Sequence, residues 1–312
     1  MHLRVRHGGG VGRIKFDRYG KVTDYQRILS GTTMNCGGGR TPWDTWISCE
    51  ERSGGKIWQV DPMGQRQPER ITMGNRGGFW ESFTYSRHRK DGRYEFFVTE
   101  DQEAGALARF IPDSEEAGWE MLTGSGTTQY LVLRPGNNPR SGTFSWTNSR
   151  STARRSARRF YPQSEGIDAG NGTLYFVCKT KQWMFELDLD AGTYRRSSTD
   201  SGVFDGGPDQ IARILVDKEE DNNNRDSDDY LFLTEDNGNN PGLFGRNRQG
   251  KYFTLLQGNG YNDDETTGLA FSPDGRHMYF AFQKDGSVFD ITRQDKRPFH
   301  GTTLNVKYHH GS

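Results

Sequence analysis

The chain is poor in hydrophobic residues and has no long apolar run. Hydrophobic residues make up 31% of its 312 residues, and the mean hydropathy is −0.92. No run approaches the roughly 20 apolar residues that a helix needs to cross a bilayer. The sequence therefore indicates no membrane span, and its pattern does not indicate long helices.

Cysteines are few, and the charge is not biased to either sign. Three cysteines give no disulfide framework. Cys49 and Cys178 fall in strand patterns and are expected to be small core residues, whereas Cys36 falls in a glycine-rich turn. Lys plus Arg and Asp plus Glu number 41 each, so the overall charge favours neither a nucleic acid nor a membrane surface as partner.

What the chain does have is glycine, aromatic residues and a repeat. The 40 glycines and 12% aromatic residues suit short strands joined by tight turns. In four places an acid opens a strand, and after a turn an aromatic-rich strand ends in a polar residue. The pairs are residues 81–85 with 94–101, 165–168 with 174–179, 209–214 with 230–236, and 265–271 with 278–283. Strand pairs recurring at about 40–50 residues are typical of a β-propeller, so residues 1–312 are predicted to be one all-β propeller domain.

Hairpin geometry turns this repeat into a predicted site. Adjacent antiparallel strands run in opposite directions, so the start of one lies beside the end of the next. Three close pairs are therefore expected: Glu81 with Glu100, Asp209 with Glu235, and Glu265 with Gln283. In a propeller the opening acids would meet at one mouth of the channel, where so many carboxylates need cations to stay ionised. The alternative is a set of separate strand-end charges that face water.

Residues 33–51 add a thiol to these carboxylates. Gly37–Gly39 are expected to let the backbone present Cys36 from a turn, and an alternating strand then delivers Glu50 and Glu51. A soft sulfur donor close to hard oxygen donors suits a site with more than one kind of metal. The alternative is a turn cysteine beside a solvated acidic turn.

Three segments depart from the repeat. Residues 12–25 contain a strand pair that resembles the outer half of a blade, so the first blade is expected to be incomplete unless residues 306–308 close the ring. Residues 149–160 carry five arginines and are predicted to be a basic loop, which either attracts an anionic substrate or is merely solvated. Residues 218–229 lack the glycine and terminal glutamate of an EF-hand and are predicted to be a disordered surface insertion.

Several of these motifs together resemble the PhoX family of alkaline phosphatases. The most specific block is Asn35-Cys36-Gly37-Gly38, Thr41-Pro42-Trp43, Thr45-Trp46 and Cys49-Glu50-Glu51. Weaker matches are residues 99–101, 165–167, 207–209, 235–236 and 271–275, leading to Gln283. The resemblance implies a six-bladed β-propeller that holds iron and calcium ions at the channel mouth and hydrolyses phosphate monoesters.

The resemblance also implies a set of ligands. Cys36 would bind Fe³⁺, and carboxylates would share Fe³⁺ and Ca²⁺. These carboxylates are Glu50, Glu51, Glu81, Glu100, Glu165, Asp209, Glu235 and Glu265. The partner would be a small phosphorylated substrate rather than a nucleic acid or a membrane, and the protein is expected to be a monomer. No signal peptide opens the chain, and the resemblance suggests a secreted or periplasmic-type protein if the N-terminus is truncated.

The departures from the family pattern concern catalysis more than metal binding. Gln163 stands where the phosphatases carry an arginine that contacts phosphate, two residues before Glu165, and Trp80 replaces the histidine that commonly precedes Glu81. Arg40 or Lys179 is the candidate for the missing cationic catalytic contact. Two alternatives stay open: a calcium-stabilised propeller that binds a partner without catalysis, and a calcium-dependent lactonase or organophosphate hydrolase, which would not need a thiol.

Overall fold

The protein is all-β with antiparallel sheets, in a computed structural model that describes residues 8–17, 19–200, 204–213, 230–299 and 304–309. It divides into two compact units, residues 2–196 and residues 197–312. The predicted insertion at 218–229 lies outside the described residues. None of the helices in the described ranges has the length and apolar character that a membrane span requires.

Strands β1 to β15 form the sheets of the first unit. They are β1 (Gly9–Phe16), β2 (Val22–Thr32), β3 (Asn35–Arg40), β4 (Trp46–Gly55), β5 (Ile57–Val60), β6 (Glu69–Arg70), β7 (Gly78–Ser86), β8 (Glu95–Glu100), β9 (Ala108–Pro112), β10 (Gly126–Pro135), β11 (Ser141–Thr147), β12 (Ser164–Gly170), β13 (Thr173–Cys178), β14 (Trp183–Asp188) and β15 (Thr193–Ser198). A 3₁₀ turn (Thr72–Gly74) and two helices, α1 (Glu120–Thr123) and α2 (Arg150–Phe160), interrupt them.

Most neighbouring strands of the first unit pair in antiparallel succession. Strands β1 and β2 pair with each other. The others follow the order β12-β13-β14-β15-β11-β10-β9-β8-β7-β4-β5-β6, and β3 pairs with β4. Runs of sequential neighbours are up-and-down meanders, which short turns can connect. The strand pairs predicted around Glu81 and Glu165 are therefore confirmed as β7–β8 and β12–β13.

The second unit contains two further meanders. Its strands are β16 (Gly207–Arg213), β17 (Leu231–Asp236), β18 (Gly242–Arg246), β19 (Tyr252–Gln257), β20 (Thr266–Phe271), β21 (His277–Phe282) and β22 (Ser287–Thr292). Strands β16 to β19 form a four-stranded sheet, and β20 to β22 form a three-stranded sheet. The predicted strand pairs are again confirmed. Residues 304–309, considered as a closing strand, are not a strand.

Aromatic strands supply the core because they are buried on both faces. Successive side chains of a strand point to opposite faces. In β8, Phe96 and Val98 accordingly pack in one hydrophobic cluster and Phe97 in another. Phe176 of β13 stacks on Phe185 of β14 with ring centroids 4.7 Å apart. Burying one such ring contributes about 1.5–3 kcal/mol, so the hairpins that carry the acids are anchored by their aromatic residues.

The glycines beside Cys36 have a role different from the one predicted. Gly37–Gly39 lie inside strand β3, and none has a positive φ. They are needed for close approach instead: a Cβ on Gly38 would lie 1.9 Å from the Ile47 carbonyl oxygen, and a Cβ on Gly39 would lie 2.1 Å from the Phe83 carbonyl oxygen. The prediction of a turn is wrong. Cys36 is held on a strand that packs tightly against β4 and β7.

The prediction that residues 149–160 form a basic loop is also wrong, because residues 150–160 form helix α2. The side chain of Ser149 accepts the backbone N–H of Thr152, which is a standard N-cap. Ala153 and Ala157 are four residues apart and both fully buried, which gives the helix one apolar face. The arginine-rich composition concealed this face, although arginine itself is a good helix former.

A glycine substitution tests the packing of β3. Gly39→Ala should lower the free energy of unfolding by about 1–3 kcal/mol, because the new methyl group overlaps a backbone oxygen that cannot move alone. Gly118→Ala is the matched control, since the nearest atom would lie 3.9 Å from its Cβ. Urea unfolding of both variants measures the difference. Equal stability would contradict the close approach of β3 and β7.

Candidate metal centre

A β-bulge recurs at the start of four strands and holds the predicted site residues. The pairing register slips between Asn35 and Gly38 in β3, Trp80 and Phe83 in β7, Ser164 and Ile167 in β12, and Pro208 and Ile211 in β16. The first residues within these slips are Cys36, Glu81, Glu165 and Asp209. A bulge leaves a residue unpaired and can redirect its side chain, which is why bulges are common beside sites.

Glu265 does not occupy the equivalent position. The register slip of β20 comes later, between Thr267 and Ala270. The backbone N–H of Gln283 donates to the Glu265 carbonyl (2.9 Å). In the β12–β13 hairpin the equivalent bond runs from Lys179 N to the carbonyl of Gln163, two residues before Glu165. Glu265 is thus two residues too early, and Thr267 stands where an acid was expected. The predicted proximity to Gln283 is confirmed by a side-chain hydrogen bond of 3.1 Å.

Three of the predicted ligands instead accept hydrogen bonds from their own hairpins. Each carboxylate accepts a backbone N–H from a residue six or seven positions further along the chain. The bonds are Lys56 N to Glu50 Oε2 (2.9 Å), Ala106 N to Glu100 Oε2 (3.0 Å) and Gly242 N to Glu235 Oε2 (3.0 Å). Burial raises the pKa of Glu235, and such backbone N–H groups oppose that rise. These three carboxylates therefore have a structural partner in the fold.

Glu100 has, in addition, two guanidinium groups as partners. Its side chain is fully buried, and its Oε1 lies 2.9 Å from Arg150 and 3.0 Å from Arg154. The Arg150 guanidinium also lies over the Trp80 ring, 5.4 Å from its centroid. Two arginines of α2 thus neutralise a carboxylate that the sequence had assigned to a metal. In the hairpins, Glu100 pairs with Trp80 rather than with Glu81, one residue away from the predicted neighbour.

Cys36, Glu51 and Glu81 come together in the first unit. One ligand atom from each lies within 4.8 Å of the others. The Cys36 thiol donates to Glu81 Oε1 at 3.1 Å, and Glu81 is only 1% exposed. Glu51 reaches this group because it follows Glu50 in β4, and consecutive side chains point to opposite faces. Strands β3, β4 and β7 therefore each contribute one donor.

The donor set fits a metal ion in both spacing and chemistry. Bonds of about 2.0–2.6 Å from a metal to sulfur or oxygen place its ligand atoms no more than about 5 Å apart. A thiolate is a soft ligand, whereas carboxylate oxygens are hard ligands that suit calcium and ferric iron. The 4.8 Å spacing of the three donors is within this limit.

A lysine and two more acids lie beside this group. Carboxylate oxygens of Glu81 and Glu165 are within 4.8 Å of each other. Lys179 Nζ lies 2.6 Å from Glu165 Oε1 and 3.5 Å from Asp101 Oδ2. Burial is the main cause that raises the pKa of Asp101; the charge of Lys179 lowers it and that of Glu51 raises it. The carboxylates are thus near enough to repel one another, and the ammonium offsets part of that repulsion.

Of the two predicted catalytic cations, only Lys179 lies near the cluster. Arg40 is at the far end of β3 from Cys36, four residues along a strand that rises about 3.3 Å per residue. Its guanidinium instead pairs with Asp44, at 3.2 Å. The prediction that Arg40 contacts the substrate is therefore not supported by its position.

The other two cysteines are structural, as predicted. Cys49 and Cys178 are fully buried. Burial raises the pKa of the Cys49 thiol, with a smaller contribution from Glu81, and raises the pKa of Cys178 to about 12. Cys178 donates to the Pro162 carbonyl at 2.7 Å. Cys36 is only half-buried and is therefore the thiol best placed to serve as a ligand.

Sequence reasoning missed Asp101 as a site residue and the arginines as partners of Glu100. The signal for Asp101 was its position directly after Glu100, which parallels Glu51 after Glu50. Asp209, Glu235 and Glu265 belong to the second unit, so their predicted convergence with the acids of the first unit stays a prediction.

Comparison with known families supports the resemblance noted from the motifs. The family model described as alkaline phosphatase PhoX matches residues 18–88. This segment contains all three clustered donors, Cys36, Glu51 and Glu81. No curated protein matches the chain in sequence. The family resemblance is thus confirmed for the segment that builds the cluster.

Solved structures resemble the chain in fold. A chain in the crystal structure of a nidogen/laminin complex has a TM-score of 0.57 at 13% identity, covering 94% of this chain and 89% of that one. PQQ-bound aldose sugar dehydrogenase from Streptomyces coelicolor has a TM-score of 0.49 at 11% identity, covering 96% and 86%. A gluconolactonase-like protein has a TM-score of 0.48 at 14% identity, covering 95% and 81%. The first of these likenesses concerns the fold alone, and none of them bears on activity.

The structural role of Glu100 can be tested by neutralising it. Glu100→Gln should lower the free energy of unfolding by about 3 kcal/mol, because it leaves two guanidinium groups without their buried counter-charge. This is near the lower end for a buried pair, since Arg154 is 39% exposed. Urea unfolding measures the loss.

The matched control is Glu103→Gln. Glu103 is 75% exposed and lies 3.5 Å from Arg158, so its neutralisation should change stability by less than about 0.5 kcal/mol. If the free energy of unfolding fell equally little in both variants, the ion pairs of Glu100 with Arg150 and Arg154 would not stabilise the packing of α2.

Proposed function

We propose that this protein is a metal-dependent, phosphatase-like hydrolase of the PhoX type that cleaves phosphate monoesters. The observation that carries the proposal is the cluster of Cys36, Glu51 and Glu81, whose donor atoms lie within 4.8 Å of one another. All three residues lie in the segment matched by the PhoX family model, residues 18–88. The proposed metals are Fe³⁺, with the Cys36 thiolate as its soft ligand, and Ca²⁺ on carboxylate oxygens.

Different residues of the chain would hold the metal ions and face the substrate. Cys36, Glu51 and Glu81 would hold the ions, which when bound supply positive charge to the phosphoryl group and act as Lewis acids. Strands β3, β4 and β7 fix the three donors before any ion binds, which reduces the cost of assembling the site. Gln163 accepts a hydrogen bond from the Thr180 hydroxyl, so its amide is held at the end of the β12–β13 hairpin, two residues before Glu165.

The proposal also includes a six-bladed propeller and further metal ligands. The repeated antiparallel meanders support the interpretation of the sheets as propeller blades, and six blades is the number that the PhoX resemblance implies. Glu165 and Asp209 are further proposed ligands, because each opens the same kind of bulge as Cys36 and Glu81. We do not propose Glu50, Glu100 and Glu235 as ligands, since backbone N–H groups engage all three and two arginines also engage Glu100.

Removing the thiol tests the metal centre directly. Wild-type protein supplied with iron and calcium should bind both metals and show a visible thiolate-to-iron absorption band. Cys36→Ser should abolish that band, because a hydroxyl is a poor soft ligand at this position. Elemental analysis and absorption spectroscopy measure the two effects, and circular dichroism checks that the sheets are retained.

Cys178→Ser is the matched control, since Cys178 is buried and bonded to a backbone carbonyl, and it should leave the band unchanged. Neither metal in the wild-type protein would refute the proposed site. Calcium without iron would favour the partner-binding propeller or the calcium-dependent lactonase instead.

A second substitution tests the phosphate contact. Gln163→Arg should raise turnover of an aryl phosphate by the metal-loaded protein by roughly 30- to 150-fold, equivalent to about 2–3 kcal/mol. A guanidinium offers paired, permanently charged donors to phosphate oxygens, whereas an amide offers one neutral group. Steady-state kinetics measure the gain.

Gln182→Arg serves as its control. Gln182 and Gln163 both have a positive φ, and Gln182 lies on the β13–β14 turn. It adds the same charge at a different position and should leave turnover unchanged. No gain for Gln163→Arg, with metals confirmed bound, would indicate that the family reaction does not extend to this chain.

A further inference from the structure

One position of the repeat changes the sign of its charge. In four hairpins, a residue in or directly after the second strand donates its backbone N–H to a carbonyl at or next to the start of the first strand. These donors are Glu51 to Met34, Asp101 to Phe79, Lys179 to Gln163 and Gln283 to Glu265. The equivalent backbone contact shows that the four residues occupy the same structural position. The first two are acids, but the third is a lysine.

The lysine at this position lies between two carboxylates. Its Nζ is 2.6 Å from Glu165 Oε1 and 3.5 Å from Asp101 Oδ2. Glu165 is 2% exposed, and the Asp101 side chain is 11% exposed. Carboxylates this deeply buried need a nearby positive charge to stay ionised. The Lys179 ammonium, a compact point charge, supplies it.

The position of Lys179 Nζ, between the carboxylates of Glu165 and Asp101, is also one that a calcium ion could occupy. Calcium binds carboxylate oxygens at about 2.3–2.6 Å and tolerates irregular geometry. The ammonium nitrogen is already at a comparable distance from Glu165, and a small movement of Asp101 would bring its oxygen within range. An ammonium and a calcium ion cannot occupy the same place, so the lysine excludes the ion.

We propose that Lys179 is a tethered cation that replaces a calcium ion between Glu165 and Asp101. It thereby prevents an additional calcium ion from binding between these two carboxylates, beside the group of Cys36, Glu51 and Glu81. The inference rests on the proposed function, since it takes that group to be a metal centre. It assigns Lys179 a role in setting the number of bound ions rather than in contacting the substrate.

Calcium stoichiometry tests this role. Lys179→Met removes the charge but keeps an unbranched side chain of similar length. After chelation, titration calorimetry with calcium chloride should show one more calcium site per chain in this variant than in the wild-type protein. Calcium should also raise the unfolding temperature of the variant more than that of the wild type, because it compensates two carboxylates that lost their counter-charge.

Two controls separate the charge from its position. Lys179→Arg keeps a cation between Glu165 and Asp101 and should keep the wild-type calcium count. Lys181→Met removes a lysine two residues away whose Nζ bonds to the Arg159 carbonyl at 2.7 Å, and it should also keep that count. If Lys179→Met folds only with calcium present, that result supports the proposal as well.

The proposal is overturned if Lys179→Met has the same calcium count and the same calcium-dependent shift in unfolding temperature as the wild type. This outcome is distinct from failure of the proposed function, which the metal content of the wild-type protein and the absorption band lost in Cys36→Ser decide. An extra calcium ion in Lys179→Met without any iron in the wild type would support the tethered cation and refute the iron centre.

Discussion

The structure depends on how buried carboxylates are compensated. An ionised carboxylate removed from water is costly unless positive charge or hydrogen-bond donors replace its hydration. This fold uses three kinds of compensation. Backbone N–H groups engage Glu50, the guanidinium groups of Arg150 and Arg154 engage Glu100, and the ammonium of Lys179 engages Glu165. Glu81, which accepts a bond from the Cys36 thiol, is the carboxylate for which we propose a metal ion.

The same backbone geometry sorts these acids into structural and site-forming ones. The glutamate of each pair points toward its own hairpin, and the following residue points the opposite way because side chains alternate along a strand. That is why Glu50 binds backbone N–H groups while Glu51 joins Cys36 and Glu81. The bulge in the adjacent strand redirects its first residue toward the same place. One short motif, repeated along the chain, therefore produces both buried structural contacts and the group for which we propose a metal.

The sequence was sufficient for the strand pairs and for part of the site. Alternating aromatic residues predicted the hairpins, and the opening acids predicted Glu81 and Glu165. The bulges were not predictable, because an extra residue in one strand leaves no trace in composition. The sequence pattern also could not show that Glu265 stands two residues before the position equivalent to Glu165. Helix α2 was missed because its apolar face consists of alanines and a serine among arginines. Charge type alone could not reveal whether Glu100 would meet a metal or two guanidinium groups.

The most direct measurement is an anomalous-difference map at the iron edge from crystals of protein loaded with iron and calcium. The account predicts an iron peak within bonding distance, about 2.0–2.5 Å, of Cys36 Sγ and the carboxylates of Glu51 and Glu81. It predicts no metal at Glu100, whose oxygen is held by Arg150 and Arg154. An iron-free map at the thiol, or an ion bound to Glu100 in place of the arginines, would contradict the account.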